Sequence, residues 1–303
     1  MKNTFGSDLS LTIFGESHGR AIGAVLDGMA AGVPVDEAFL AACMDKRRAR
    51  GDGLSTPRVE GDAVQFLSGV VNGRTTGTAI ALMIENQNTR SGAYARTADL
   101  LRPGHADYTA YAKYHGYQDA RGGGHFSGRV TAALVAGGAL VLGALNRAGI
   151  EIVTHIGRCA GISDAPFALD DPAALAAQAE ALLNKSEGFA LLDGSVEEPM
   201  KAAIRAAGAE GDSVGGVLET AILGLPAGVG EPYFDSVESK LAHLAFSIPA
   251  VKGIEFGSGF GFADQKGSEA NDAFRMQGER IVTATNHNAG LNGGISNGMP
   301  VVF

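Results

Sequence analysis

Residues 121–149 read RGGGHFSGRVTAALVAGGALVLGALNRAG, a run of three glycines followed by a long apolar segment. After Ser127, alanine and glycine occupy nearly every side of this segment, which predicts a helix that is buried all round and packs closely against its neighbours. Its longest apolar run, Ala132–Leu145, has 14 residues, fewer than the roughly 20 needed to span a bilayer. The sequence therefore predicts a central core helix in a protein that is soluble and does not insert into a membrane.

Strand and helix signals lie on both sides of this segment. Leu9, Leu11 and Ile13 alternate with polar residues, which predicts a half-buried strand leading into the sequence GESHG. Asp36 is placed to cap a helix ending at Gly51. Further elements predicted in the same way are strands at 21–26, 63–71, 78–84, 215–223 and 250–256, a turn at Asn72–Gly73, and helices at Pro172–Lys185 and Ser236–Ser247. This mixture indicates the α+β class, and because no repeat or linker divides residues 1–303, we expect a single domain.

Charge is distributed unevenly along the chain. The net charge is −9, but residues 1–150 contain 15 Lys and Arg against 13 Asp and Glu, whereas residues 151–303 contain 9 against 20. An acidic protein is poorly suited to non-specific nucleic-acid binding, because that binding depends on neutralising phosphates. Basic residues nevertheless gather at Lys46–Arg50 and at Arg90–Arg129, which favours a small anionic ligand bound by the first half.

Neither cysteine belongs to a disulfide or zinc pattern. Cys43 and Cys159 lie far apart in the sequence and form no CxxC pair. The first residues, MKNTFGSDLSLTIF, are too polar for a signal peptide. We therefore expect a reduced, cytoplasmic protein.

Histidine is concentrated beside the glycine run. Three of the seven histidines of the chain fall within Arg102–Arg129, namely His105, His115 and His125. A fourth, His18, lies in GESHG, where Glu16 and Ser17 add an acceptor and a hydroxyl to flexible backbone. A histidine between glycines is more common in an ordinary turn, but imidazoles that titrate near neutral pH also donate protons to anions.

Arginines and backbone amides could complete an anion site around these histidines. Arg102 precedes His105, and Arg121 and Arg129 flank the glycine run. A guanidinium offers a planar fork to phosphate or carboxylate, and consecutive glycine N–H groups can form a concave anion site. If Ser127 opens the buried helix, its positive end points to the same place. A tight loop before a helix would use the glycines equally well, and the paired arginines favour the anion site.

Two other uses of these residues remain open on sequence alone. The cations of Lys46–Arg50 could cap the negative end of the preceding helix. The histidines, with a nearby carboxylate such as Asp107, could bind a divalent cation. No two of them have HxH or HxxxH spacing, and the nearby arginines would repel a cation, so a metal site is the less favoured interpretation.

Five segments, taken in order, resemble the chorismate synthase family: GESHG, RPGHADYT, RGGGHFSGR, IPAVKGIEFGSGF and TNHNAG…GGISNG. The resemblance extends from about Leu11 to the last residue. Each motif alone is short, but five in this order are highly specific. The resemblance implies a compact β–α–β sandwich with helices between antiparallel sheets, assembled as a homotetramer.

The resemblance also implies an activity. Members of the family eliminate phosphate and a ring hydrogen from 5-enolpyruvylshikimate 3-phosphate in a 1,4-anti sense, a lyase reaction that gives chorismate for aromatic amino-acid biosynthesis in the shikimate pathway. The family requires reduced FMN although the reaction has no net redox change. A flavin reductase partner, or an intrinsic activity that uses NADPH, would supply the reduced flavin.

Individual residues are matched with family roles by position. His18 is matched with the acid that protonates the departing phosphate, and His105 with the donor to the reduced flavin. Ser17 and Ser127 join them as catalytic candidates. The substrate-binding matches are Arg47, Arg102 and Arg129. The flavin-binding matches are His125, Phe126, Ser127, Pro249, Ala250 and Gly293.

The resemblance further implies two segments that would follow SNGMPVVF, a Lys-Pro segment that holds the flavin and an Arg-His-Asp segment near its reactive edge. The chain ends at Phe303 within an apolar run. The alternative to an active enzyme is therefore a shortened, non-catalytic family member that keeps the fold and anion binding.

Overall fold

The computed structural model describes residues 2–56, 58–89 and 100–303. The chain divides into two compact units, one ending at Arg147 and the other beginning at Ala148. Each unit contains a main sheet with at least one helix packed on it. In the described part of the chain every strand pairing is antiparallel, which agrees with the predicted α+β class.

The first unit is built on a five-stranded sheet in the order β1-β2-β3-β7-β4, with a separate small hairpin formed by β5 and β6. Its elements are β1 (Thr4–Gly6), β2 (Ser10–Gly15), β3 (Ala21–Asp27), α1 (Glu37–Arg47), β4 (Val64–Phe66), β5 (Val70–Val71), β6 (Arg74–Thr75), β7 (Ile80–Glu85), α2 (Asp107–Tyr114) and α3 (Thr131–Arg147).

The predicted apolar helix is α3, which forms the core of the first unit together with β3 and β7. Alternate residues of these strands point to one face, so Ile22 of β3 and Leu82 of β7 are completely buried against the helix. Gly137 permits the close approach, because a Cβ atom there would lie 2.6 Å from a methyl of Leu11. The prediction of burial all round is too strong, since Gly138 and the last residues of α3 are exposed.

The apolar segment is longer than the run of 14 residues from which the sequence analysis excluded a membrane span. Gly128–Arg147 forms a continuous helix of 20 residues with mean hydropathy 1.7, which is long and apolar enough to cross a bilayer by length and composition. The short apolar run counted in the sequence underestimates it because residues at both ends extend the helix. Its packing on β2, β3, β7 and α1 accounts for its apolar character as a core helix.

Local signals set the ends of several elements. The Asp36 side chain accepts a hydrogen bond of 2.9 Å from the backbone N–H of Phe39, as expected of an N-cap, and α1 ends at Arg47 rather than at Gly51 because Arg48 is extended. The strand predicted at 63–71 is interrupted at Gly69, where φ is +81° and a Cβ would lie 2.6 Å from the Cα of Ile80. The predicted turn at Asn72–Gly73 is confirmed between β5 and β6.

The second unit contains a four-stranded sheet in the order β15-β10-β8-β9 and two small hairpins, β11-β12 and β13-β14. Its elements are β8 (Glu151–Cys159), β9 (Ile162–Ser163), α4 (Pro172–Asn184), α5 (Glu197–Ala209), β10 (Gly216–Leu223), α6 (Val237–Ala245), α7 (Gly267–Ala270), β11 (Phe274–Gln277), β12 (Arg280–Thr283), β13 (Leu291–Asn292), β14 (Ile295–Ser296) and β15 (Val301–Val302).

Most sequence predictions in this unit agree with the structure. The helix predicted from Pro172 is capped by Asp171, and the one predicted from Ser236 is capped by that residue. The strand predicted at 250–256 is wrong. Ala250 has a φ of +70° and Gly257 a φ of +56°, so the segment follows an irregular path that an apolar pattern alone does not reveal.

Candidate active site

His18 lies in a tight turn between β2 and β3, and Asn86 fixes this turn. The Asn86 side-chain N–H₂ group donates to the carbonyls of Glu16 and Gly19, at 3.0 and 2.9 Å. Its carbonyl accepts from Nε of Arg129 at 2.9 Å. The Asn86 amide thus both donates and accepts, and it connects the turn that carries His18 to Arg129.

Ser17 is buried and is held by Arg58, which the sequence analysis did not single out. Arg58 donates from Nη1 to the Ser17 hydroxyl at 2.7 Å and from Nη2 to the Ser17 carbonyl at 3.0 Å. The Ser17 N–H donates to the carbonyl of Gly124 at 3.0 Å. Because Arg58 donates to the hydroxyl oxygen, the hydroxyl hydrogen remains available for an acceptor in the site.

Two buried carboxylates neutralise the arginines around this turn. Glu60 accepts from Arg58 Nε and Nη2 at 2.9 and 2.7 Å, and from the backbone N–H groups of residues 87 and 88. Burial would raise the pKa of Glu60, but these hydrogen bonds outweigh burial and lower it. Asp62 accepts from Nη1 of Arg47 at 2.9 Å and from Nη1 of Arg129. Glu60 therefore stays charged, and both carboxylates hold the arginines in place.

Arg47 retains part of its exposure, whereas Arg129 does not. Burial of the Arg47 guanidinium lowers its pKa; attraction to Asp62 opposes this effect, and repulsion from Arg129 and Arg58 adds to it. The three side-chain nitrogens of Arg129 donate to Asn86, to Asp62 and to the carbonyl of residue 85, and only 4% of the side chain is exposed. Of these two arginines, both predicted to bind substrate, Arg47 is the better placed to meet a ligand.

The glycine run lies against two histidines at consecutive residues. A Cβ atom on Gly122 would overlap the imidazole ring of His18, and one on Gly123 would lie 3.0 Å from Nε2 of His105. Both glycines have positive φ, +58° and +85°. The run thus brings together two sequence-predicted residues that are 87 positions apart, and whether its N–H groups also bind an anion stays a prediction.

His105 is oriented by Asp107 and Arg102. Its Nδ1 lies 2.7 Å from Oδ1 of Asp107, and Arg102 donates to the same carboxylate from its backbone N–H, Nε and Nη2 at 3.0, 2.8 and 2.8 Å. The hydrogen bonds from Arg102 hold the pKa of Asp107 well below its usual range, although burial opposes the effect. Arg102, a predicted substrate ligand, is thus engaged with a protein carboxylate.

A second, similar ion pair joins Arg121, at the start of the glycine run, to Asp119. Arg121 donates to Asp119 from its backbone N–H, Nε and Nη2, at 3.0, 2.9 and 2.8 Å. The hydrogen bonds from Arg121, and to a smaller degree the attraction of His18, lower the pKa of Asp119. Each of the five arginines described around these histidines, Arg47, Arg58, Arg102, Arg121 and Arg129, therefore has a carboxylate of the protein as a partner.

The remaining flavin-binding predictions in the first unit lie beside these groups. Nδ1 of His125 lies 2.8 Å from the carbonyl oxygen of Gly15. Because a carbonyl only accepts, Nδ1 carries the hydrogen and donates it to this oxygen. Ser127 caps the short helical turn that leads into α3, because its hydroxyl accepts from the N–H of Arg129 at 3.2 Å. The Phe126 ring is partly exposed, 6.1 Å from the ring of Tyr114.

A cavity of about 290 Å³ adjoins His105. Its lining combines the aliphatic and aromatic side chains of Leu100, Leu101, Tyr111 and Phe126 with the polar and charged side chains of Arg102, His105, Asp107, Gln118 and Asp119. Such a surface suits a flat ring that carries polar atoms at its edge.

The other matched flavin positions, Pro249, Ala250 and Gly293, belong to the second unit. Ala250 has a positive φ in the segment after α6, and Gly293 occupies the turn between β13 and β14. Their assignment as flavin contacts stays a prediction. His115, which has no matched role, ends α2 in the left-handed conformation with φ +56°. Arg90, at one edge of the predicted basic region, lies outside the described residues.

The sequence analysis missed the groups that hold the predicted residues. Arg58, Glu60, Asp62 and Asn86 lie in segments that carry no glycine–histidine signature. Apart from the pairing of Arg58 with Glu60, their partners are 15 to 70 positions away. The only signal was the alternation of charge in TPRVEGD, which places Arg58, Glu60 and Asp62 on one side of an extended segment. Sequence alone could not have shown which arginine each carboxylate would meet.

A metal centre finds no set of ligands in the described parts of the chain. Within residues 2–56, 58–89 and 100–303, no three His, Cys, Asp or Glu side chains are arranged to hold a metal ion. The electrostatic argument against a cation is weaker than the sequence indicates, because each arginine near the histidines has a carboxylate partner.

Comparison with known proteins places these features in a family. A sequence profile described as "Chorismate synthase" matches residues 9–303. Proteins named chorismate synthase from Dehalococcoides mccartyi and Methanosarcina mazei are each 42% identical to the chain over 302 residues, which is 99% of this chain and 80% of each relative. The protein of that name from Chitinophaga pinensis is 43% identical over 301 residues, covering 99% and 79%.

A solved structure agrees with the sequence relatives. It is described as "Crystal Structure of Chorismate Synthase", and it superposes with a TM-score of 0.78 at 29% identity, covering 97% of this chain and 82% of that one. The predicted fold class is therefore confirmed. The extent of the match also confirms the family resemblance seen in the five ordered motifs.

Proposed function

The chain belongs to the chorismate synthase family, and from this premise we propose how its residues serve the family's reaction. The protein is a phosphate-eliminating lyase that acts on 5-enolpyruvylshikimate 3-phosphate and forms chorismate. The reaction breaks one C–O bond to phosphate and one C–H bond of the ring. The existing ring double bond shifts and a second one forms, so that the product is a conjugated diene. The non-catalytic alternative is not favoured, because the relatives over nearly the whole chain are named for the enzyme.

The observation that carries the proposal is the contact of Gly122 with His18 and of Gly123 with His105. The two imidazoles can both exchange protons, and both contact the same backbone turn. They can therefore act on one bound substrate and its cofactor. A leaving phosphate develops negative charge, so a proton donor beside it lowers the barrier more than it strengthens ground-state binding. We assign the role of this proton donor to His18, and we assign to His105 the role of donor to the reduced flavin.

Electrostatic stabilisation of the phosphate is assigned to the groups around His18. The Ser17 hydroxyl, polarised by Arg58, can donate to a phosphate oxygen, and Arg47 adds a half-buried positive charge. Of the other two arginines matched with substrate ligands by position, Arg129 donates to Asn86, Asp62 and the carbonyl of residue 85, and Arg102 donates to Asp107. We therefore propose that they act mainly by holding Asp62 and Asp107, and that direct substrate contact falls on Arg47.

The family needs reduced flavin, and the cavity beside His105 fits part of such a ring. Gly123 supports the fit, because a side chain there would enter the space next to His105 Nε2. Phe126, Tyr111 and Leu101 would hold the ring by contact with its face, and His105 would meet its polar edge. When bound, reduced FMN supplies transient electron density to the ring of the substrate. We propose that Ser127 and His125 line the same site. The matches of Pro249, Ala250 and Gly293 with flavin-binding positions stay predictions.

Assembly, flavin supply and cellular location are further parts of the proposal. The family resemblance supports a homotetramer and a flavin reductase or NADPH as the source of reduced FMN. Light scattering of the purified protein measures the first, and FMN reduction by NADPH with and without a reductase measures the second. The soluble biosynthetic role of the family supports a cytoplasmic location.

Flavin binding can be tested apart from turnover. FMN fluorescence is titrated with protein in the presence of substrate, for the unaltered chain, Phe126→Ala and the control Tyr117→Ala, a fully exposed ring outside the cavity lining. We expect saturable quenching, weakened roughly threefold to tenfold by Phe126→Ala, the amount that loss of an aromatic contact predicts. Equal FMN binding by the two variants would show that the flavin does not bind in the proposed cavity. No quenching by the unaltered protein would show that it does not bind flavin.

A further inference from the structure

His105 presents one ring nitrogen to a carboxylate and the other to the glycine run. Nδ1 lies 2.7 Å from Asp107, whereas Nε2 faces the position where a Cβ of Gly123 would lie, 3.0 Å away. We propose that Asp107 is a positioning residue, which fixes His105 in the Nδ1–H tautomer and so makes Nε2 the atom that exchanges a proton in the cavity. This inference deepens the proposed function, and it rests on it for the identity of the proton acceptor.

The assignment of the tautomer follows from competition between two partners of Nδ1. Nη2 of Arg102 lies 3.2 Å from Nδ1, and Oδ1 of Asp107 lies 2.7 Å from it. A guanidinium only donates, so it could bond to Nδ1 only if that atom carried no hydrogen. The carboxylate is closer and only accepts, so the shorter, charge-assisted contact requires a hydrogen on Nδ1. Neutral His105 then carries its lone pair on Nε2, and protonated His105 carries an N–H there.

Arg102 acts on Asp107 rather than on the imidazole. Its three donors occupy both oxygens of the carboxylate and leave Oδ1 shared with His105. This clamp fixes the plane of the carboxylate and keeps it ionised, since the hydrogen bonds from Arg102 lower its pKa strongly against the opposing effect of burial. The orienting acceptor therefore remains a charged group throughout the working pH range.

A purely helical role for Asp107 is not sufficient to explain its contacts. Asp107 is the first residue of α2, where an acidic side chain interacts well with the helix dipole. The helix nevertheless has no side-chain cap, and the Asp107 carboxylate turns to Arg102 and His105 instead. The Asp107 carboxylate therefore binds His105 and Arg102 and does not cap the helix.

The protein contains a matched control. Asp119 is held by Arg121 through the same three donors at nearly the same distances, 3.0, 2.9 and 2.8 Å. Asp119→Asn therefore removes a comparable Arg–Asp pair without touching His105. Asp107→Asn keeps the size of the side chain, but only one end of its amide accepts, so it cannot accept both from Nδ1 of His105 and from the backbone N–H and Nε of Arg102.

The direct test is ¹⁵N NMR of the His105 imidazole in the full-length protein without flavin or substrate. We expect the Nδ1–H tautomer in the unaltered protein and in Asp119→Asn, and a shift of at least half of the population to Nε2–H in Asp107→Asn. An Nε2–H tautomer in the unaltered protein, or an unchanged tautomer in Asp107→Asn, would overturn the inference. Since this readout requires no turnover, it is independent of whether the proposed reaction occurs.

Steady-state kinetics provide the second readout. We expect Asp107→Asn to lower kcat roughly tenfold to a hundredfold, the usual effect of losing a group that orients a functional histidine, with KM for the phosphorylated substrate within about twofold. Asp107→Glu, which restores the charge, should recover part of kcat and the Nδ1–H signal. A raised KM with unchanged kcat would instead show that Asp107 acts in substrate binding, and would contradict the positioning role.

Discussion

At the scale of single residues, backbone conformation does as much as side-chain chemistry to build the site. Gly122 and Gly123 adopt left-handed conformations that other residues rarely adopt, and each packs directly on an imidazole. A side chain at either position would displace the histidine on which catalysis is proposed to depend. The spacing of the two histidines is therefore set by two glycines.

Substitution of Gly122 tests this directly. Gly122→Ala places a methyl group within the ring of His18, so we expect kcat to fall by about a hundredfold or more, as for loss of a general acid. The control is Gly73→Ala, which has a similar φ of +69° but no atom within 4 Å of the added Cβ. It should lower the melting temperature slightly and leave kcat unchanged. Equal kcat values for the two variants would show that Gly122 does not seat His18.

The sequence predicted the histidines and glycines of this site but not the groups that hold them. His18, His105 and the run before α3 stand out because imidazole and flexible backbone cluster there. Asp62 and Asn86 were missed, because their roles depend on which distant arginine the fold brings to them. Arg129 illustrates the difference, since a residue expected to bind substrate is buried among protein acceptors.

At the scale of elements, one cross-strand histidine stabilises the sheet of the second unit. His155 of β8 lies directly opposite Glu219 of β10, and its Nε2 and Nδ1 lie 2.7 and 2.8 Å from Glu219 and Asp164. Burial would lower the pKa of His155, but these two hydrogen bonds and the negative charges outweigh it and raise the pKa. The positive imidazolium therefore joins three segments of the unit.

The raised pKa predicts how stability depends on pH. The unfolded His155 titrates near 6.5, so its stabilising effect is complete below that pH and is lost as pH rises through the higher folded-state pKa. We expect the urea midpoint to fall between pH 6 and pH 9, with a smaller decline in His155→Gln and an unchanged decline in the exposed control His243→Gln. The same pH slope in the unaltered protein and in His155→Gln would show that His155 does not carry the effect.

Helix ends were easier to predict than strands. Asp36, Asp171 and Ser236 cap the helices that the sequence placed after them, because capping is a local interaction between neighbours. The strands near residues 69 and 250 were misjudged, since positive φ angles interrupt apolar segments whose composition looks continuous. Backbone reversals of this kind depend on close contacts with other segments, such as that of Gly69 with Ile80.

At the scale of the whole molecule, the chain divides into two compact units after Arg147, although the sequence indicates no linker there. We keep the prediction of a single domain. Hydrogen exchange in increasing urea should show β3 and β7 of the first unit losing protection at the same midpoint as β8 and β10 of the second. Two separate midpoints would mean that the units unfold independently.

The central claim is that this chain forms chorismate with His18 as the acid for the leaving phosphate. Its most direct test is an anaerobic assay with reduced FMN and 5-enolpyruvylshikimate 3-phosphate, in which chorismate and phosphate are measured together for the unaltered protein and for His18→Ala. We expect equal amounts of the two products, and a kcat lowered about a hundredfold by His18→Ala with little change in KM. No chorismate from the unaltered protein, or an unchanged kcat with a raised KM in His18→Ala, would contradict the claim.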